Sequence, residues 1–123
     1  MAYSESKVSV TMQAGQDLSG SQYRFVALAS DGQVDPAGAG LSAVGVLQND
    51  PAAAGRAAEV AISGVVPVEF GGVVTIGLSL ASDAAGKAVA AAVGDQILGV
   101  ATEAGGDGTV GSILFQPRGL VPA

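Results

Sequence analysis

Strict alternation marks the start of the chain. Lys7-Val8-Ser9-Val10-Thr11-Met12 sets Val8, Val10 and Met12 on one face and Ser9 and Thr11 on the other. That is the period-two pattern of a half-buried strand. The residues before it, 1–7, are small and polar. A strand behind such a leader has two roles open to it: an edge of its own sheet, or an arm added to the sheet of a neighbour. A loop over Gln13–Ser21 leads to a second alternating run, Gln22–Ala29, with Tyr23, Phe25 and Ala27 on one face. Asp31-Gly32 then supplies the positive-φ positions of a tight hairpin turn.

The next part reads as strand, loop and strand. Ala43–Leu47 and Ala57–Val66 are apolar, and Gln48–Gly55 between them is polar and marked by Pro and Gly. Val65–Phe70 continues apolar but contains Pro67. Proline cannot donate to a ladder, so this piece reads as a separate edge or a bulge. Val73–Leu80, Ile97–Thr102 and Thr109–Gln116 are further strands. Lys87–Val93 is rich in alanine and reads as a short helical turn or small-residue loop. Val34–Gly40 reads as irregular, and Pro117–Ala123 as a tail.

These landmarks repeat. Gly32 and Gly86, Gly45 and Gly99, and Val46 and Val100 are each 54 positions apart, whereas Gly55 and Gly108 are 53 apart, which implies one deletion in a loop. Residues 20–66 and 74–119 thus form two copies of a strand, turn, strand, loop, strand unit. Short strands with turns about every ten residues predict an all-β fold, a small barrel or sandwich. It comprises two related half-units in one domain, residues 15–123, behind an extended N-terminal arm, residues 1–14.

Composition narrows the chemistry. The 123 residues suffice for one domain with a real core. That core is built from Ala and Val, since there are only three Phe, two Tyr and no Trp. The net charge is −6, and the five basic residues are scattered singly. Nucleic-acid binding needs a clustered basic face, so it is not expected. No run approaches the ~18 apolar residues of a membrane span, and the leader has no apolar core of a secretory signal. A protein made and kept in a cytoplasm is the expectation. With no Cys and no His, thiolate and imidazole metal sites and Cys- or His-based catalysis are excluded.

The remaining candidates are few. Asp31, Asp35, Asp50, Asp83, Asp95 and Asp107 all fall in predicted turns, where Asp serves the backbone. Asp107 in Gly105-Gly106-Asp107-Gly108 is a single carboxylate, and calcium needs six to eight oxygens. Gly38-Ala39-Gly40 lacks the Gly-Lys-Ser continuation of a phosphate loop. Neither metal nor cofactor is expected, and no enzymatic activity. Arg56 and Glu59 read as a solvated rim pair or an intersubunit contact. Phe25 and Phe115 read as core. Tyr3 is an aromatic in a polar leader and suits a partner contact. Phe70, beside Pro67, reads as core or as a rim anchor at an interface.

One family is similar. Val26-Ala27-Leu28, Asp31–Val34, Ala43–Leu47, Ala54-Gly55-Arg56 and Val60–Val68, followed by Gly77-Leu78, Asp83, Gly86-Lys87, Gly94-Asp95, Ile97–Ala101, Gly108 and Val110, resemble the head decoration (capsid cement) proteins of tailed phages. The likeness runs from about Gly15 to Phe115, and its specificity lies in order and spacing. It implies a non-enzymatic virion protein on the outer capsid surface that bridges major capsid protein subunits and acts as a homotrimer. It also implies that the arm, with Tyr3, Lys7, Val8, Val10 and Met12, adds a strand to a capsid-protein sheet. Arg56, Glu59, Pro67 and Phe70 then become candidates for the subunit interface. Another virion β module, of tail, baseplate or fibre, is the alternative.

Overall fold

The computed structural model describes residues 5–122, with side chains from Lys7 onward. These residues form nine strands and no helix. They are β1 (Glu5–Gln13), β2 (Phe25–Leu28), β3 (Val34–Pro36), β4 (Gly45–Leu47), β5 (Ala57–Glu69), β6 (Ser79–Ser82), β7 (Ala88–Ala90), β8 (Gln96–Ala101) and β9 (Val110–Leu120). All join one antiparallel sheet in the order β3-β2-β4-β5-β9-β8-β6-β7, with β1 also laid against β5. The all-β expectation holds.

The duplication is visible in the register. Val26 faces Pro36 and Leu28 faces Val34; 54 positions on, Leu80 faces Ala90 and Ser82 faces Ala88. Phe25–Val46 recurs as Ser79–Val100 at the same offset. Past the shortened loop, Val46–Ala61 and Leu47–Val60 recur as Val100–Leu114 and Ala101–Ile113, with the second partner shifted by 53. Both Asx-marked turns also close alike. The Ala29 N–H donates to the Gln33 carbonyl and the Asp83 N–H to that of Lys87, each at 2.8 Å.

The boundary between the halves runs through a strand, not a linker. The start of β5 pairs with β4 and β1, and its end, Gly64–Glu69, pairs with β9. β1 lies on β5 as the end of β5 lies on β9: Gln13 faces Ala57 as Glu69 faces Val110, and Val10 faces Val60 as Val66 faces Ile113. The first half is therefore β1–β4 with the start of β5, and the second is the end of β5 with β6–β9. Each half curls until its first strand reaches its third, through parallel bridges at Ala14–Val34 and Phe70–Ala88. Of the two roles open to the alternating N-terminal segment, the described part takes the first, an edge of its own sheet.

Several local expectations are corrected. Pro67 does not separate two pieces, because β5 is continuous through it. The Glu69 N–H donates to the Tyr23 carbonyl and the Phe70 N–H to that of Thr109 on the β9 side. Backbone direction alternates, so the missing N–H of Pro67 falls on the Tyr23 side, away from the β9 ladder. Lys87–Val93 is no helical turn. Ala88–Ala90 form β7 on β6, because a two-turn helix does not nucleate well alone while an open strand edge adjoins it. Val73–Leu80 is mostly loop, with the strand starting at Ser79. Val34–Pro36, read as irregular, is β3, and the supposed tail continues β9 to Leu120.

The core forms two clusters, one within the first half and one that joins the second half to Phe25, Ala37, Val46 and Ala61 of the first. In the first, Ala14, Leu18, Val26, Val34, Leu47, Ala58 and Val60 are buried together. Their counterparts in the second are Phe70, Val74, Leu80, Ala88, Ala101, Gly111 and Ile113. The volumes compensate. Where the first half has Ala14 and Ala58, the second fits the Phe70 ring over Gly111, where a Cβ would lie 2.4 Å from the ring. Phe25 and Phe115, both core as expected, meet between the halves with ring centroids 6.1 Å apart.

Beside these rings the halves are held by polar contacts. The Tyr23 carbonyl accepts the Glu69 N–H, the Phe25 N–H donates to the Gly86 carbonyl, and the Gly40 N–H donates to that of Ser82. The Glu69 carboxylate lies 3.1 Å from Arg24 Nε and 3.5 Å from Lys87 Nζ, with all three side chains about four-fifths shielded. Replacing Glu69 with Gln leaves two cations without their counter-charge at this joint. It is expected to lower stability by about 1–2 kcal/mol, measured by denaturant titration, with most of the loss absent in an Arg24→Met background.

Candidate functional site

The candidate contact residues gather at the edge formed by β1. Tyr3 lies outside the described residues. From Glu5 to Gln13 the strand has β5 on one side. Among the described residues its other side meets a neighbour only beyond its end, where Ala14 bridges to Val34. Unpaired backbone groups along such an edge are a template for another strand.

The side chains that the sequence sets on one face of β1 do not share one exposure. The register shifts between Val8 and Ser9 because Ile62 of β5 is an extra residue with no partner in β1. Val8 is 50% exposed. Val10 and Met12 are partly buried, and Met12 packs against the core of the first half. Lys7 is half-buried. The five arm candidates therefore divide. Val8 points to solvent, whereas Val10 and Met12 are committed to the protein's own fold.

The four interface candidates also separate. Arg56 and Glu59 remain on the surface where β5 begins. Glu59 sits opposite Thr11 of β1, and its N–H donates to Asn49 Oδ1. No ion pair joins Arg56 to Glu59 among the described residues. Pro67 is half-buried within β5, opposite Ser112. Phe70 is fully buried between Gly105 and Gly111. It is core, not a rim anchor, because the two glycines leave its ring a slot inside the second half.

The carboxylates serve the backbone. Asp31 Oδ1 accepts the Gln33 N–H, Asp83 Oδ1 those of Ala85 and Lys87, and Asp95 Oδ2 that of Ala92. The Glu103 carboxylate accepts both the N–H and the hydroxyl of Ser112. Among the described residues no acidic cluster has the geometry to hold a metal ion.

A family model described as phage cement protein matches residues 4–116. The chain belongs to the phage cement protein family. It is a structural protein of the virion, located at the capsid surface. The cement chain is also similar in fold to a solved structure, the head fiber gp8.5 N base of bacteriophage phi29. The TM-score is 0.73 at 20% identity, over 95% of this chain and 99% of that one. No curated protein matches it in sequence.

Sequence reasoning missed two features of this cement protein. The Arg24–Glu69–Lys87 group is drawn from three strands and has no local signature. Leu28, Leu41, Ile76 and Val93 are exposed, although each sits in or beside an apolar run that reads as core. The signal that separates them is comparison of the two halves, since their counterparts at the repeat offset are Ser82, Asp95, Gln22 and Ala39.

Proposed function

We propose that the chain cements a phage head as a self-associating trimer that bridges neighbouring major capsid protein subunits and carries no catalytic activity. The match of the cement family over residues 4–116 carries this reading. The edge of β1 supports a role for it in the contact. It offers backbone groups for strand addition, with Val8 exposed beside them and Tyr3 only five residues ahead in sequence. Each such contact is weak, and a multimer engaging several sites gains avidity through effective concentration.

Purified heads lacking the protein, mixed with it and imaged by electron microscopy, test the reading. The expected result is density at repeated positions on the outer shell, with lowered occupancy when residues 2–4 are removed and no change in melting temperature. Full occupancy by the shortened chain removes the leader from the contact, and bare heads with the intact protein overturn the whole reading. The phi29 structure, a head fibre base, favours a second reading in which the chain seats a fibre on the head. Projecting rather than flush density in the same images decides for it.

A further inference from the structure

The joint between the two halves is heterologous. The first half supplies Tyr23, Arg24, Phe25, Ala37 and Gly40, and the second supplies Glu69, Ser82, Gly86, Lys87 and Gln96. Carried back by the repeat, the second set corresponds to Gln13, Leu28, Gly32, Gln33 and Ser42, a different surface from the first. One half thus meets the other head to tail. A head-to-tail contact between two copies of one unit leaves one unused partner surface at each end.

Those two unused surfaces are where the exposed apolar residues lie. On the second half, the counterpart of the first set is the segment Gly77–Ser79 with the loop Ala91–Gly94, and Ile76 and Val93 stand at 72% and 67% exposed there. One bond of the joint is already taken at this end, since the Gly94 N–H, counterpart of that of Gly40, donates to the Val121 carbonyl of the same chain. On the first half, the counterpart of the second set includes Leu28 at 53%, with Leu41 beside Ser42 at 61%. Inside the chain, the positions matching Leu28 and Leu41 are Ser82 and Asp95, and both lie against the other half: the Ser82 carbonyl accepts the Gly40 N–H, and the Asp95 side chain packs on Gly40. Among the described residues, four of the seven large exposed hydrophobics therefore fall on or beside the outer ends of a joint whose other instance is already made. The charged trio is not repeated. Arg24, Glu69 and Lys87 correspond to Leu78, Gln13 and Gln33, and Gln33 Nε2 lies 3.5 Å from Gln13 Oε1 just as Lys87 lies 3.5 Å from Glu69. The outer version keeps the placement and exchanges charge for neutral and apolar groups, which suits a contact between chains that each carry −6.

We infer that copies of this chain associate head to tail by repeating the joint between their own halves. The Ile76–Val93 end of one copy seats on the Leu28–Leu41 end of the next. This supplies a surface for the self-association proposed above and does not depend on capsid binding. A head-to-tail contact makes a closed ring where its rotation closes, and a trimer would present six similar halves around its axis.

Two double variants test it: Leu28→Asp with Leu41→Asp at one end, and Ile76→Asp with Val93→Asp at the other. All four side chains are exposed, so each variant is expected to keep the wild-type circular dichroism and melting transition. Sedimentation analysis without capsids is expected to show a discrete multimer for the wild type and a single chain for either variant. An equimolar mixture of the two variants is expected to give a one-to-one dimer and nothing larger, because one intact joint survives. Folded variants that retain the wild-type mass overturn the inference, as does a mixture that stays monomeric. A wild-type chain that is monomeric yet decorates heads overturns it while leaving the cement function standing. A wild-type multimer that never binds heads does the reverse.

Discussion

Phe70→Ala is expected to destabilise the protein by about 3–5 kcal/mol, the range for emptying a buried aromatic site. The ring is fully buried and held between Gly105 and Gly111. Gly111→Ala is expected to destabilise as well, by about 1–3 kcal/mol. Its new Cβ would lie 2.4 Å from the ring, and Gly105 also lies close against the ring and limits its movement. The informative variant is the double one. Ala14 and Ala58 hold the equivalent positions in the first half, so Phe70→Ala with Gly111→Ala rebuilds a pair that this fold already accepts. Equilibrium unfolding is expected to show a loss smaller than the sum of the singles by more than about 1 kcal/mol. Strict additivity would show that the two halves do not trade volume between these positions.

Removal of residues 2–10 is expected to abolish the cooperative unfolding transition. The deletion takes away most of β1, including Val10 opposite Val60, and shortens the ladder along β5 to the few pairs from Thr11 to Gln13. The first core loses its cover on that side, and a domain whose whole stability is only about 5–15 kcal/mol does not survive such a loss. Circular dichroism against temperature checks this. A truncated chain that melts cooperatively near the wild-type temperature would show that β1 is an appendage. The outcome also governs how binding experiments are read. Loss of head binding after this deletion reports unfolding, whereas removal of residues 2–4 alone leaves β1 in place.

Much of the architecture was legible in the residues because turns carry their own chemistry. Asp31-Gly32 marks a hairpin whatever surrounds it, Gly86 repeats Gly32, and the spacing of Gly45 and Gly99 sets the offset that the ladders follow. The loop deletion before Gly108 appears at the predicted place. Features decided by partners were not legible. Ala88–Ala90 has only Val89 to favour a strand and becomes one because β6 offers an edge. Pro67 reads as a break, and only the direction of the Glu69 and Phe70 amides shows why β5 continues through it. The candidate site divides likewise. Alternation located β1, but the exposure of Val8 beside the partly buried Val10 and Met12 depends on how far the core extends beneath the strand, which the pattern does not show. Phe70 looked like a surface anchor because its slot is made by glycines about 35 and 41 positions away.

The shared strand has a mechanical consequence. A shell held by cement is loaded from within, and β5 is the covalent path between the two halves, its start belonging to one ladder and its end to the other. Along that strand the tension is borne by covalent backbone, and its ladder bonds to β1, β4 and β9 are loaded side by side in shear instead of being peeled open one after another. A chain with two separate modules on a linker would stretch at the linker first. This one has no slack segment between its halves, so it resists extension as a single stiff piece until a whole ladder gives way.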